Sequence, residues 1–148
     1  LYQFLLDNPD VDLVYGDCLV TDVKNENPEE TKSKTVSEHS SLPFSRENMV
    51  KCLPGPMPLY KKTLHEKNGF LDEDNCNYAD DWEMWLRSVE SGSRFKKLNK
   101  VVGLYYNNGR STQEDINQRK EEAKIFFKYQ NVLGDGSLRY RNYFGQFL

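Results

Sequence analysis

The stretch Tyr78–Gly92, YADDWEMWLRSVESG, decides how this 148-residue chain is read. Trp82, Trp85, Leu86 and Val89 fall at i, i+3, i+4 and i+7, which is one apolar stripe of an α-helix. The helix is expected over Ala79–Ser91, with Gly92 ending it. Asp80 and Asp81 open it, where the positive end of the helix dipole favours a carboxylate. Capping chemistry alone accounts for acids there. The same register sends Trp85 into the core and leaves Arg87 on the outer, solvated face.

The segments on either side alternate in type. Residues 1–6 read as the last turn of a helix, stopped by Asp7-Asn8-Pro9-Asp10. Residues 11–23 carry a strand pattern that Gly16 interrupts. Residues 24–41 are polar and expected as a surface loop, and Ser45 is a candidate N-cap for a short helix ending near Leu53. Pro54, Pro56 and Pro58 forbid helix, and each pushes the residue before it, among them Gly55 and Met57, toward extended backbone. Lys61–Lys67 should be a short helix closed by Asn68-Gly69. Phe95–Tyr106 reads as one or two strands. A long helix is expected over Gln113–Gln130, with Ile116, Ala123, Phe126 and Phe127 on one side. The tail, residues 131–148, shows no firm pattern. The expected class is α/β, in one domain spanning residues 1–148.

Composition narrows the function. Hydrophobic residues make up 37%, charged residues 29% and aromatic residues 13%, a polar but foldable balance. The net charge is −3 with no basic stripe, so nucleic acid is not an expected partner. No apolar run approaches the roughly 20 residues of a membrane span. Cys18, Cys52 and Cys76 lie far apart with no C-x-x-C pair, which argues against zinc and for reduced thiols in a cytoplasmic setting. Leu1 is not an initiator methionine, so a longer parent protein is expected.

Three segments occur in a telling order: PGPMPLYKKTLHEKNGF (54–70), YADDWEMWLRSVESG (78–92) and GLYYNNGRST (103–112). Together they resemble the acceptor-side signature of inverting family-2 glycosyltransferases of the GT-A fold. That signature runs from a Gly-Pro-x-Pro segment through a basic helix ending at a Gly-Phe turn. An acidic pair then opens a D-x-E-x-W-L-R helix, followed by a Tyr-rich strand. Upstream, VDLVYGDCLVTD (11–22) is similar to the strand that follows the nucleotide-binding half. The resemblance covers roughly residues 1–130, and ADDWEMWLR is its most specific part.

The resemblance implies the C-terminal half of a GT-A domain with a mixed sheet and flanking helices. It implies transfer of a sugar from a nucleotide-sugar donor to a hydroxyl acceptor such as a glycan, as in polysaccharide biosynthesis. Asp81 would be the catalytic base, Asp80 would support it, and Trp82 and Met57 would line the acceptor site. Arg110 and Ser111 could reach the donor diphosphate. Mg²⁺ or Mn²⁺ is expected in the intact enzyme and none on this chain, which should be inactive alone. Cytoplasmic location is implied, with peripheral inner-membrane attachment through missing parts as an option.

Two departures stand out. Asp10-Val11-Asp12 formally matches the family's metal-binding D-x-D motif but enters a strand instead of following one. Asn107-Asn108 stands where many relatives have a His near the metal, and His39 and His65 do not match that position. The competing reading is a non-catalytic carbohydrate-binding or interaction module that keeps the fold.

Overall fold

The computed structural model describes residues 1–27, 41–106 and 115–148, with the backbone of 37–39. Helix α1 (Tyr2–Asp7) leads into strand β1 (Leu13–Thr21), whose Leu13, Val14 and Tyr15 are fully buried. Parallel to β1 along its length lies β4 (Phe95–Tyr106), with Leu13 opposite Phe95 and Thr21 opposite Tyr106. The other edge of β1 is shared by two short antiparallel strands: β2 (Ser37–His39) pairs residues 18–20, and β3 (Pro58–Tyr60) pairs residues 13–15. The sheet is therefore mixed and four-stranded, with β1 central. β2 corrects the expectation of loop throughout 24–41: Ser37–His39 supply ladder bonds to an otherwise open stretch of β1.

Gly16, which broke the strand pattern, sits at a register shift between β1 and β4. A Cβ there would meet the Lys100 carbonyl at 2.7 Å and Val102 Cγ1 at 2.8 Å, so β4 approaches too closely for any side chain. Next to it, Asp17 is buried, pairs with Lys97 Nζ at 3.0 Å and accepts the Ser41 N–H at 2.8 Å.

Helix α2 (Thr63–Asn68) ends at Gly69, whose φ of +82° suits glycine and whose N–H closes onto the His65 carbonyl. Helix α3 (Asp80–Glu90) follows the expected bounds closely. Its burial is wider than one stripe, because Glu83, Met84 and Ser88 are buried along with Trp82, Trp85, Leu86 and Val89. The cause is a sandwich. Trp85 meets Tyr60 of β3 edge-on at 5.3 Å and Phe95 of β4 at 6.2 Å. On the opposite side, Glu83 meets Lys128 and Tyr129.

Helix α4 (Ile116–Lys128) starts at Asp115, whose carboxylate accepts the Asn117 N–H at 2.7 Å. Residues 113 and 114 of the expected helix lie outside the described residues. Ala123, Ile125 and Phe126 are buried, Phe127 partly so, but Ile116 is 57% exposed because the first turn overhangs the core. After α5 (Gln130–Leu133) the tail is ordered: a 3-10 turn over Asp135–Tyr140 leads into α6 (Arg141–Gly145). Phe144 of α6 stacks on Phe126 at 4.4 Å and on Trp82 at 6.1 Å.

Two local expectations are corrected. The helix proposed after Ser45 is a 3-10 turn, Glu47–Lys51, although the Ser45 hydroxyl does accept the Asn48 N–H at 3.0 Å. Gly55 is not extended but has a φ of +74°, a conformation open to a residue with no Cβ.

Candidate active site

Asp81 sits in the first turn of α3, and three separate devices fix that turn. Glu121 reaches across from α4: its Oε2 accepts the Asn77 N–H at 2.8 Å, and its Oε1 accepts those of Tyr78 and Ala79, both at 2.8 Å. These donors lie just before the helix, where backbone N–H groups need partners from outside it. Asp80 Oδ1 accepts the Asp81 N–H at 3.0 Å, and Asp81 Oδ1 accepts the Trp82 N–H at 2.6 Å. Trp82 Nε1 donates to the Met49 carbonyl at 2.7 Å, which ties α3 to the 3-10 turn.

Asp81 opens onto a cavity of about 620 Å³. One wall is Lys51 and Cys52 from the 3-10 turn, and another is Gln118, Arg119 and Glu122 from α4. The aromatic wall comes from the C-terminal segment, with Tyr140, Tyr143 and Phe144, and Tyr78 and Trp82 complete the lining. Size and mixed lining suit a small polar ligand with apolar faces.

Electrostatics set Asp81 apart from its neighbours. Although Asp81 keeps an exposed face, partial desolvation pushes its carboxyl above the ordinary value, with the Asp80 charge adding to that rise, against the Trp82 N–H bond. The change is toward a stronger base. Cys52 lines the same cavity; it is exposed at the surface, and its thiol is pushed up by desolvation and then by the Asp81 and Glu122 carboxylates.

Two residues further along α3, Glu83 is almost fully buried. Its Oε1 accepts Lys128 Nζ at 3.0 Å and the Tyr129 hydroxyl, and its Oε2 accepts Arg87 Nε at 3.1 Å and Nη2 at 2.9 Å. Burial raises the Glu83 carboxyl, but the bonds from Tyr129, Arg87 and Lys128 outweigh it and the net direction is down. Tyr129 responds in kind: burial and the bond to Glu83 push it up to about 12. Arg87 is not the solvated outer residue expected from the sequence. It also donates to the carbonyls of Asn68 and Phe70, fastening α3 to the end of α2.

The expected site residues are only partly brought together. Asp81 and Trp82 line one cavity, with Asp80 buttressing Asp81. The Trp82 ring is buried and its N–H is spent on Met49, so it presents only part of its surface to that space. Met57 lies elsewhere, packed on Gly103 of β4 so closely that a Cβ there would come within 2.5 Å of its sulfur. Arg110 and Ser111, with Asn107 and Asn108, lie outside the described residues.

The formal D-x-D match is spent on structure: Asp10 pairs with Arg94 Nη1 at 2.9 Å, and Asp12 accepts the Arg94 N–H at 2.7 Å. His65 is a packed residue, stacked on Phe70 at 4.8 Å. Among the described residues, no three His, Cys, Asp or Glu side chains converge to hold a metal ion. Nor is any described helix long and apolar enough to cross a membrane.

Sequence reading missed Glu121, Glu122 and the aromatic wall. Only the wall left a signal, since Tyr140, Tyr143, Phe144 and Phe147 repeat at i, i+3, i+4 and i+7. No protein-family model, curated protein or solved structure matches the chain.

Proposed function

We propose that this chain is the acceptor side of an inverting glycosyltransferase with a GT-A-type fold, and that Asp81 is its base. One observation carries the reading. A carboxylate on the first turn of a helix that is otherwise largely buried, itself still open to solvent, lines a cavity with aromatic and polar walls. The Asp80-Asp81 pair and the WEMWLR helix, on which the family resemblance rests, are the residues that form this feature. The mixed sheet with its long parallel β1–β4 pair is compatible with the proposed fold.

In the proposed reaction, an Asp81 oxygen takes the proton of an acceptor hydroxyl. The freed oxygen pair attacks the anomeric carbon of a nucleotide-sugar from the face opposite its diphosphate. The bond to the diphosphate breaks and its electrons leave with that group. A base held in place contributes about 10²–10⁴-fold to such a step. Glu121 and Asp80 do the holding, through the backbone that enters α3. A divalent metal would neutralise the departing diphosphate. The described residues of this chain do not form a site for it.

The test is a transfer assay on the native gene product with UDP-, GDP- and dTDP-sugars. Asp81→Asn keeps size and capping ability and removes the base. Turnover should fall by about 10² or more, with the fold intact by circular dichroism. Near-normal turnover in that variant would overturn the assignment.

A further inference from the structure

We infer that the C-terminal segment, Asp135–Gly145, builds a subsite for an uncharged sugar ring of the acceptor. This rests on the proposed function above and adds the acceptor's chemical class. Tyr143 is 42% exposed although it lines the cavity, whereas its neighbour Phe144 is buried beneath it at 5.1 Å, edge to face. A phenol ring held by a packed ring, with one side open to a cavity, is a stacking platform for the C–H face of a pyranose. The same cavity is lined by polar side chains of α4: Gln118, Arg119 and Glu122 carry donors and acceptors beyond those spent on one another.

The charges decide the class. Two cations, Lys51 and Arg119, and two carboxylates, Asp81 and Glu122, line the space, so their formal charges cancel. Both cations are also engaged within the wall. Lys51 Nζ lies over the Tyr140 ring at 5.2 Å, and Arg119 Nη1 pairs with Glu122 at 2.9 Å. Gln118 donates to the other Glu122 oxygen at 2.9 Å. A phosphorylated or carboxylated acceptor would have to displace these pairings and would still face Asp81. A neutral saccharide meets both an aromatic face and hydrogen-bonding side chains in the same cavity.

The experiment is saturation-transfer NMR on this chain with methyl glucoside, methyl galactoside and methyl N-acetylglucosaminide, and with glucose 6-phosphate as the anionic probe. At least one methyl glycoside should saturate below about 10 mM, an affinity ordinary for a single ring. Tyr143→Ala should weaken it about 5- to 10-fold, Tyr143→Phe should retain it, and glucose 6-phosphate should bind no tighter than methyl glucoside. Three results would overturn the subsite: no glycoside saturating, equal binding in Tyr143→Ala, or tighter binding of the phosphate. The readout needs neither donor nor turnover. Loss of glycoside binding therefore leaves the Asp81 assignment standing, and normal turnover in Asp81→Asn leaves the subsite standing.

Discussion

Asp81 and Glu83 are two residues apart on one helix, yet their surroundings push their carboxyls in opposite directions. Asp81 faces a cavity, the partners found for it among the described residues are local backbone N–H groups of its own helix turn, and its carboxyl moves up. Glu83 is the more deeply buried by accessible surface, and its carboxyl moves down. Desolvation pushes both carboxyls up, so it does not by itself separate them. What differs is the number of donors: Glu83 accepts from Arg87, Lys128 and Tyr129. Full satisfaction makes a carboxylate a structural joint, while partial satisfaction leaves lone pairs for a ligand's proton. The helix thus carries its joint and its candidate base on neighbouring faces.

The joint region depends first on packing. Trp85 contacts Tyr60 and Phe95 and is 4% exposed. Trp85→Ala should destabilise the fold by about 3–5 kcal/mol in urea denaturation. A cost below about 0.5 kcal/mol would place the helix in the wrong phase.

The sharpest test of the contrast is pH. Glu83→Gln leaves Arg87 and Lys128 without their carboxylate. The loss should be about 2–4 kcal/mol at neutral pH, below the upper range for buried pairs because Lys128 is 58% exposed and can rehydrate. Glu83 is lowered on folding, so its contribution is present above the ordinary value of 4.5 and lost as pH falls through the folded value. The penalty of Glu83→Gln should therefore shrink in acid. Asp81 is raised on folding, so ionising it works against the fold above its folded value, and that effect vanishes in acid. Asp81→Asn should leave the melting temperature unlowered at neutral pH. Parallel pH dependences in the two variants would erase the distinction.

The entrance to α3 should respond more weakly. Glu121→Ala removes the acceptor of three backbone N–H groups, at a cost of about 1–2 kcal/mol, typical of a lost cap. Amide shifts of residues 77–81 should change in ¹H–¹⁵N spectra while those of the α3 C-terminus stay fixed. Unchanged shifts at 77–81 would remove Glu121 from the positioning of Asp81.

How much of this was legible in the sequence follows from the range of the forces involved. Periodicity placed α3, set the phase of Trp85 and found β4, because those are local patterns with one solution. The Gly69 turn was equally local. Arg87 was read as an outer-face polar residue and Glu83 drew no reading, since nothing nearby in sequence announces that Lys128 and Tyr129 will close over the Glu83 carboxylate that Arg87 also holds. The same holds for Glu121, more than 40 positions from the N–H groups it accepts. The cavity's aromatic wall was legible in principle at 140, 143 and 144, with Phe147 continuing the spacing, but a 3-10 turn followed by five helical residues is too short for a conventional helix search.

The smallest expected effect isolates what burial adds to charge. Glu83–Arg87 and Lys62–Glu66 are both i,i+4 pairs of opposite charge. The first has side chains 3% and 26% exposed at 2.9 Å, with Glu on the N-terminal side, the favourable order along the dipole. The second has side chains 90% and 57% exposed at 3.7 Å, in the reverse order. Water screens the second pair from both sides, and ordering two long side chains offsets most of the remaining attraction. A double-mutant cycle with Lys62→Ala and Glu66→Ala should give a coupling of no more than about 0.3 kcal/mol, vanishing in high salt. The equivalent cycle on Glu83 and Arg87 should give a coupling several times larger and nearly independent of salt, because the shared carboxylate is out of reach of counterions. Equal couplings in the two cycles would mean that spacing alone sets the strength of the pair, and the contrast between the open and the satisfied carboxylate would lose its physical basis.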